Sequence, residues 1–372
     1  MSQRTLPPFR ADHVGSLLRP EKLRQARAAH DRNELSSADL ARVEDEAIRD
    51  VVRLQEEVGL NAITDGEYRR TSWNRDFLEG FSGVVTVEGQ IATRFHTEEG
   101  EFAVRPTGFR IDGKLAHPKG IFVDAFKFLK GLTQRTPKVT IPSPTLLHFR
   151  GGRKAVDEKA YPDMDGFFAD LARVYQEEIA ELGAAGCRYL QIDDTNYAYL
   201  CDPTLRAQVQ TNIGEDPAKL PRVYANLINS AIATRPKDMV IGIHVCRGNN
   251  QSAWVAEGGY EPVAESLFND VNVEAYFLEY DSPRAGDFRP LRFLPKGKVA
   301  VLGLVTTKKR ELETKDELKR RIEEAAKFAP LDQLALSPQC GFSSTIQGNK
   351  VTVDDEVKKL RLVVEVAREV WG

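Results

Sequence analysis

Four residues of this 372-residue chain carry the side chains of a metal centre: His244, Cys246, Glu279 and Cys340. His244 and Cys246 form a His-x-Cys pair, and side chains on an extended segment alternate, so both point to the same side. Zinc binds such nitrogen, sulfur and oxygen ligands tetrahedrally. Two thiolates and one carboxylate leave a dication with a net negative charge, which makes a poor Lewis acid for hydrolysis. Such a centre still holds a bound thiol deprotonated and nucleophilic. The set therefore favours alkyl transfer to sulfur over metal-assisted hydrolysis. Read without a metal, it is a packed histidine and inert buried cysteines. Cys187, at the start of a strand, and Cys201, in a loop after Tyr199-Leu200, are assigned to that inert class.

Three further motifs suit an amino acid. Gly15-Ser16 offers backbone N–H groups to a carboxylate. Asp65-Gly66-Glu67 and Gln191-Ile192-Asp193-Asp194 each end in acids, and Glu67 with Asp193 suits an ammonium group. The alternative for each acid is a helix cap or an ion pair. An amino acid with a thiol side chain would use the backbone N–H groups, the acids and the metal together.

All these residues need a frame that brings distant loops to one face. Short apolar runs at Phe9–Val14, Asn61–Thr64, Lys138–Ile141, Arg188–Ile192, Met239–Ile243, Ala275–Leu278, Val299–Leu304 and Leu334–Leu336 read as buried parallel strands. Amphipathic stretches at Ser37–Val58, Met164–Leu182, Leu220–Ala233, Ser252–Phe268, Lys315–Phe328 and Asp354–Val370 read as helices. Ser36 or Ser37, Thr314, and Asp354 with Glu356 are start signals. Eight strands alternating with helices predict an α/β fold of the (β/α)8 TIM-barrel type, whose reactive residues lie at the strands' C-terminal ends. An open doubly wound sheet is the alternative, but the chain has neither a Gly-x-Gly-x-x-Gly fingerprint after the first strand nor a Gly-Lys-Ser/Thr loop. Gly83 to Pro118 breaks the alternation with short strands at Val84–Val87, Gln90–Phe95, Glu101–Val104 and Gly108–Ile111. This predicts a β-hairpin insertion, about 83–118, between strands two and three of a single domain spanning 1–372.

Composition narrows the function classes. Hydrophobic residues at 41% and charged residues at 29% suit a globular enzyme. The net charge of −3 gives no basic excess for nucleic acid. No apolar run approaches the roughly 18 residues of a membrane span. Met1 to Arg10 lacks the apolar core of a signal peptide, and four scattered cysteines suggest no disulfide framework. The expected location is the cytoplasm.

The combination of His244-x-Cys246, Glu279 and Cys340-Gly341 resembles cobalamin-independent methionine synthase, and most of all the short, single-barrel members similar to its C-terminal catalytic half. The resemblance covers nearly the whole chain and implies a barrel of the uroporphyrinogen decarboxylase type. It implies zinc on His244, Cys246, Glu279 and Cys340, with homocysteine as acceptor. Gly15-Ser16 would meet the homocysteine carboxylate, and Glu67 and Asp193 its amine. The methyl donor would be 5-methyltetrahydrofolate or another carrier.

Three departures accompany the resemblance. The family's catalytic histidine after strand seven is replaced by Val305-Thr306-Thr307-Lys308, so the proton donor is unassigned. The tryptophan that stacks folate corresponds to Phe149, beside His148, which together are the expected donor pocket. The N-terminal barrel of the long form is missing from this chain, and with it contacts to a long tail. Rival readings are a transferase like epoxyalkane:coenzyme M transferase, a metal-free lyase of the decarboxylase type, and a binding protein without chemistry. Arg19, Arg69 and Arg70 favour the first, since a sulfonate thiol needs cations; Glu67 and Asp193 oppose it. Oligomeric state is left open.

Overall fold

The computed structural model describes residues 4–89, 92–105 and 107–372. Its strands, in chain order, are β1 (Ala62–Ile63), β2 (Ser82–Val87), β3 (Thr93–Thr97), β4 (Gly100–Val104), β5 (Gly108–Ala116), β6 (Thr136–Pro137), β7 (Val139–Pro142), β8 (Tyr189–Asp194), β9 (Val240–Val245), β10 (Ala275–Glu279), β11 (Val299–Val305) and β12 (Leu334–Pro338). Strands β7 to β12 form a six-stranded parallel sheet in sequential order. This is the α/β, barrel-like architecture that the alternation of strands and helices predicts.

The two edges of that sheet continue toward each other. On one side β6 pairs in parallel with β1, and Lys138 N–H donates to Ile63 O at 2.8 Å. On the other side residues 10–12 run along β12: Leu336 N–H donates to Arg10 O at 2.9 Å and Asp12 N–H to Leu336 O at 3.0 Å. The expected strand at Phe9–Val14 is thus reduced to a single bridge, Ala11 to Leu336. The Asp12 carboxylate explains the loss. It accepts from the N–H groups of Phe9 and His13, at 3.3 and 2.8 Å, and bends the segment out of a ladder. Among the described residues the seam between this segment and β1 has no ladder. It is joined by His13 Nε2 to Ala62 O (3.0 Å), Thr64 Oγ1 to Gly15 O (2.7 Å) and Leu17 N to Gly66 O (3.1 Å).

The interior below the mouth is packed. Phe9, Tyr189, Phe277, Val301 and Ala335 belong to one buried cluster there. Lys138 and Asp12 are paired at 3.1 Å with no side-chain exposure, and Tyr189 Oη donates to Asp12 Oδ2 at 2.7 Å. A charge pair this deep is tolerated because every partner is met at short range. Helices wrap the outside. Most follow the predicted periodicity, as at Ser37–Val58 and Met164–Ala185. The last, Val353–Trp371, is capped by Thr352 in a capping box with Asp355, two residues before the expected start signal.

One helix differs in a way that matters. The stretch expected as Ser252–Phe268 becomes helical only at Glu261. Gln251 and Ser252 have positive φ, Gly258 has φ +109°, and Pro262 sits at the helix start. The preceding loop instead pairs with the insertion: His96 N–H donates to Trp254 O at 2.7 Å and Trp254 N–H to His96 O at 3.0 Å. The insertion itself is two antiparallel ribbons, β2 with β5 and β3 with β4. Two residues of the strand expected from Gln90, namely Gln90 and Ile91, lie outside the described residues. Through Trp254, the β3–β4 ribbon is fastened over the mouth.

Candidate functional site

Adjacent parallel strands deliver the four sulfur, nitrogen and oxygen groups to one point. His244 lies on β9, Cys246 follows it directly, Glu279 ends β10 and Cys340 follows β12. One ligand atom from each lies within 4.8 Å of the others, a group that could hold a metal ion. The two sulfurs are 3.6 Å apart. His244, Glu279 and Cys340 are buried and Cys246 is half-buried.

The electrostatics are those of an anionic cluster. Both ring nitrogens of His244 are buried without a hydrogen-bond partner of good geometry. Burial depresses this imidazole, but the neighbouring Cys340 sulfur, with Asp193 and Glu279, raises it to about 9. Sharing a proton with Cys340 holds the Cys246 thiol well up, while Cys340 is held well down by Cys246 and His244. Protons are therefore collected where negative groups crowd together. Ligands of this kind exchange those protons for a metal cation, so the donor set and the orphaned imidazole fit a zinc ion.

A surrounding shell fixes the ligands, as such shells do around metals. Glu279 Oε1 accepts from Arg247 N–H at 2.9 Å, and Oε2 from Gln339 Nε2 at 3.3 Å. Gln339 is itself held by the N–H and hydroxyl of Thr307, at 2.9 and 2.7 Å. The Arg247 guanidinium is buried over the Tyr260 ring at 4.6 Å, placing a positive charge behind the cluster. Lys308, buried just beyond the end of β11, donates its ammonium to Asn249 Oδ1 at 3.1 Å.

The cluster opens into a cavity of about 330 Å³ that Ser16, Glu67 and Asp193 also line. Gly15 lies behind it with φ +134°, and a Cβ there would fall 2.7 Å from Thr140 Cγ2. Ser16 packs so closely on Gly341 that a Cβ on that glycine would lie 1.9 Å from Ser16 Oγ. Glu67 has φ +62°, a left-handed conformation rare for a side-chain-bearing residue and costly enough to mark a constrained site. Its Oε1 accepts from Thr140 Oγ1 at 2.8 Å, while Oε2 is buried and unpartnered. Burial raises both acids, Asp193 to about 7; Glu67 pushes Asp193 further up against the pull of His244, while Arg70 and Arg19 oppose the rise of Glu67. Two crowded, desolvated carboxyls are a receptor for a cation.

The remaining expected residues separate. Phe149 lines a second cavity, of about 550 Å³, under the β3–β4 ribbon. His148 lines neither cavity. It is turned into the core, Nδ1 meeting Tyr224 Oη at 3.0 Å with its ring against Phe168, and burial lowers it to about 4. Arg19, Arg69 and Arg70 do not line the thiol end either. Arg19 ties Ser343, Glu67 and Arg70 backbones together, Arg69 pairs with Glu44 and Asp45, and Arg70 binds Thr140 and pairs with Glu67 Oε1 at 3.6 Å. Cys187 and Cys201 are buried and pushed up to about 12, as inert thiols are. Sequence reasoning missed Arg150 and Trp73, which line the mouth together with Tyr199; only the fold-back of the insertion shows it.

A sequence profile described as the catalytic domain of cobalamin-independent synthase matches residues 9–369. The chain belongs to that family. Within it, the chain is 43% identical over 366 residues to the uncharacterized protein YxjH of Bacillus subtilis, covering 98% of this chain and 95% of that one. Its fold matches a proposed vitamin-B12-independent methionine synthase of Listeria monocytogenes with TM-score 0.77 and 37% identity, covering 99% and 100% of the two chains. A B12-independent methionine synthase of a Shewanella species, crystallised with selenomethionine, matches in fold at TM-score 0.70 and 19% identity over 97% of each chain. Family membership makes the chain an enzyme of the methionine synthase type, a methyltransferase. No helix among the described residues is long and apolar enough to cross a membrane.

Proposed function

We propose that the protein is a zinc-dependent thiol methyltransferase that converts homocysteine to methionine. One observation carries this reading: the four ligand atoms lie within 4.8 Å of one another, and His244, Cys246 and Cys340 of that set line one cavity with Ser16, Glu67 and Asp193. The first set suits a thiol and the second an amino acid, so a thiol amino acid is the ligand that uses both. Zinc on His244, Cys246, Glu279 and Cys340 would supply an electrophilic site that keeps the substrate sulfur deprotonated.

The chain's own residues do the rest. The Gly15-Ser16 turn receives the carboxylate, and Glu67 and Asp193 face the ammonium. Arg247 and Gln339 hold Glu279 so that its oxygens stay aimed at the cluster. Selenomethionine in the Shewanella relative is a methylated product analogue and agrees with this assignment. A coenzyme M-type acceptor is less well served, since none of Arg19, Arg69 and Arg70 lines the cavity and the cation of Arg70 is paired with Glu67. A metal-free lyase has no use for two cysteines 3.6 Å apart. By the same reading the whole chain acts as one catalytic domain in the cytoplasm, with 5-methyltetrahydrofolate or another methyl carrier as donor.

The test is cobalt substitution followed by titration with homocysteine, cysteine and coenzyme M. A sulfur-to-cobalt charge-transfer band with homocysteine alone is expected. Protein that holds cobalt yet gives no band with any thiol would show this function to be wrong.

A further inference from the structure

The 330 Å³ cavity at the cluster and the 550 Å³ cavity under the ribbon share four walls: Thr93, Thr107, Arg150 and Tyr199. Nothing in the thiol chemistry calls for the second. Its position is set by the ribbon that Trp254 fastens and by the short helix Leu146–Phe149, which ends at Arg150. Phe149 and Tyr199 present two rings at its inner end, 5.9 Å apart.

Apart from the Glu67 and Asp193 end, the charges around these cavities are almost all satisfied. Arg75 pairs with Glu79 at 2.9 Å, and Arg94 and His96 both meet Glu101, at 3.0 and 2.9 Å. Asp202 accepts from the N–H groups of Thr204 and Glu257, each at 2.9 Å, and Glu257 accepts from Trp254 Nε1 at 2.7 Å. Arg150 is the exception. Among the described residues its guanidinium has no acidic partner, and its Nε is buried without any partner. A half-buried arginine left unpaired at the junction of two cavities is a receptor for a planar or tetrahedral anion.

We infer that Arg150 binds an acidic group of the second substrate, so that the methyl donor is an organic anion seated in the cavity under the β3–β4 ribbon. This rests on the thiol-methylation reading above. In the transfer itself the homocysteine sulfur forms a bond to the donor's methyl carbon while the bond from that carbon to the leaving atom breaks. The leaving group departs with the electron pair, and Arg150 holds it by a site remote from the reacting atoms. Arg150 is therefore a specificity residue and takes no part in bond making.

A pair of matched alkylating agents tests this without knowledge of the natural donor. Zinc-loaded full-length protein saturated with homocysteine is given iodoacetate or its neutral counterpart iodoacetamide, and the homocysteine thioethers are measured by mass spectrometry. Each reagent forms a carbon–sulfur bond and releases iodide. The wild-type protein should favour iodoacetate relative to the same thiol in buffer. Arg150→Gln should lower that ratio roughly tenfold or more, and Arg150→Lys should restore most of it. Binding of benzoate against benzamide, followed by ligand-observed NMR, reads the same cation without turnover and should lose its preference for the anion in Arg150→Gln.

An iodoacetate-to-iodoacetamide ratio unchanged by Arg150→Gln would overturn the inference. So would weakened homocysteine binding in that variant, since this would put Arg150 on the amino acid's carboxylate. Coenzyme M that displaces homocysteine only when Arg150 is present would also overturn it, by placing the anion on the thiol. If the protein accelerates neither alkylation of homocysteine, the thiol reading itself fails, which is a different result.

Discussion

Glu356 makes stability depend on pH in a direction opposite to most carboxylates. It lies one turn into the helix Val353–Trp371, and its Oε2 accepts from Leu18 N–H at 2.9 Å. Among the described residues it makes no ion pair, and burial pushes its carboxyl from 4.5 up to about 8. The folded protein holds this proton up to about pH 8, whereas the unfolded chain releases it near 4.5. Stability from this group is therefore complete below about 4.5 and lost as pH rises toward about 8. At about 1.4 kcal/mol per tenfold change, the ceiling on that loss is about 5 kcal/mol. Glu356→Gln keeps a carbonyl oxygen for Leu18 but brings in an amide NH₂, which costs about 1–3 kcal/mol where it finds no acceptor. The two effects cross. At pH 5 the variant should be less stable by about 1 kcal/mol, and at pH 8 more stable by about 2 kcal/mol. Guanidinium unfolding of both proteins at the two pH values measures this directly. A difference between them that stays constant with pH would refute the reasoning, because then Glu356 carries no proton into the fold. Leu18 follows the Gly15-Ser16 turn, so the same titration bears on the loop proposed to receive the substrate carboxylate.

Other outcomes follow from the site. Cys246→Ser and Cys340→Ser should each lose zinc and methyl transfer together, read by elemental analysis beside an activity assay; full activity without metal would contradict the ligand assignment. Glu67→Gln and Asp193→Asn should keep the metal but raise the KM for homocysteine by roughly ten- to a hundredfold each, as buried charged contacts are worth about 1.5–3 kcal/mol. Gly341→Ala should push Ser16 aside, since the new Cβ would lie 1.9 Å from its Oγ; a loss of about 1–3 kcal/mol in stability and a raised KM are expected. Chelation should abolish the thiol charge-transfer band of the cobalt form, and added zinc should restore methyl transfer.

The sequence made the His244, Cys246, Glu279 and Cys340 cluster legible because parallel strands are unmistakable apolar runs, and the residue after each run must lie at the mouth. His244, Glu279 and Cys340 could be placed by that rule alone. Glu67 and Asp193 followed the same logic. His148 did not, because its neighbour in space, Tyr224, comes from a helix far along the chain and draws the imidazole inward. Arg150 was invisible for a similar reason: its place depends on where the insertion folds back, and no periodicity encodes that. The helix expected from Ser252 failed because apolar spacing there serves a loop paired with β3, which Gly258 and the positive φ of Ser252 make room for. The first strand failed through one side chain, since Asp12 competes for the N–H groups a ladder needs.

The open seam beside β1 has a mechanical consequence. The Ser16 turn leaves one side of it and the Glu67 turn leaves the other, and only a few isolated bonds cross between them. An amino acid gripped by its carboxylate on one side and its ammonium on the other would act as a clasp across the weakest join in the wall. Substrate would then be part of the closure of the fold, and amide hydrogens from Asp12 to Leu17 and from Ala62 to Gly66 should exchange more slowly once it is bound.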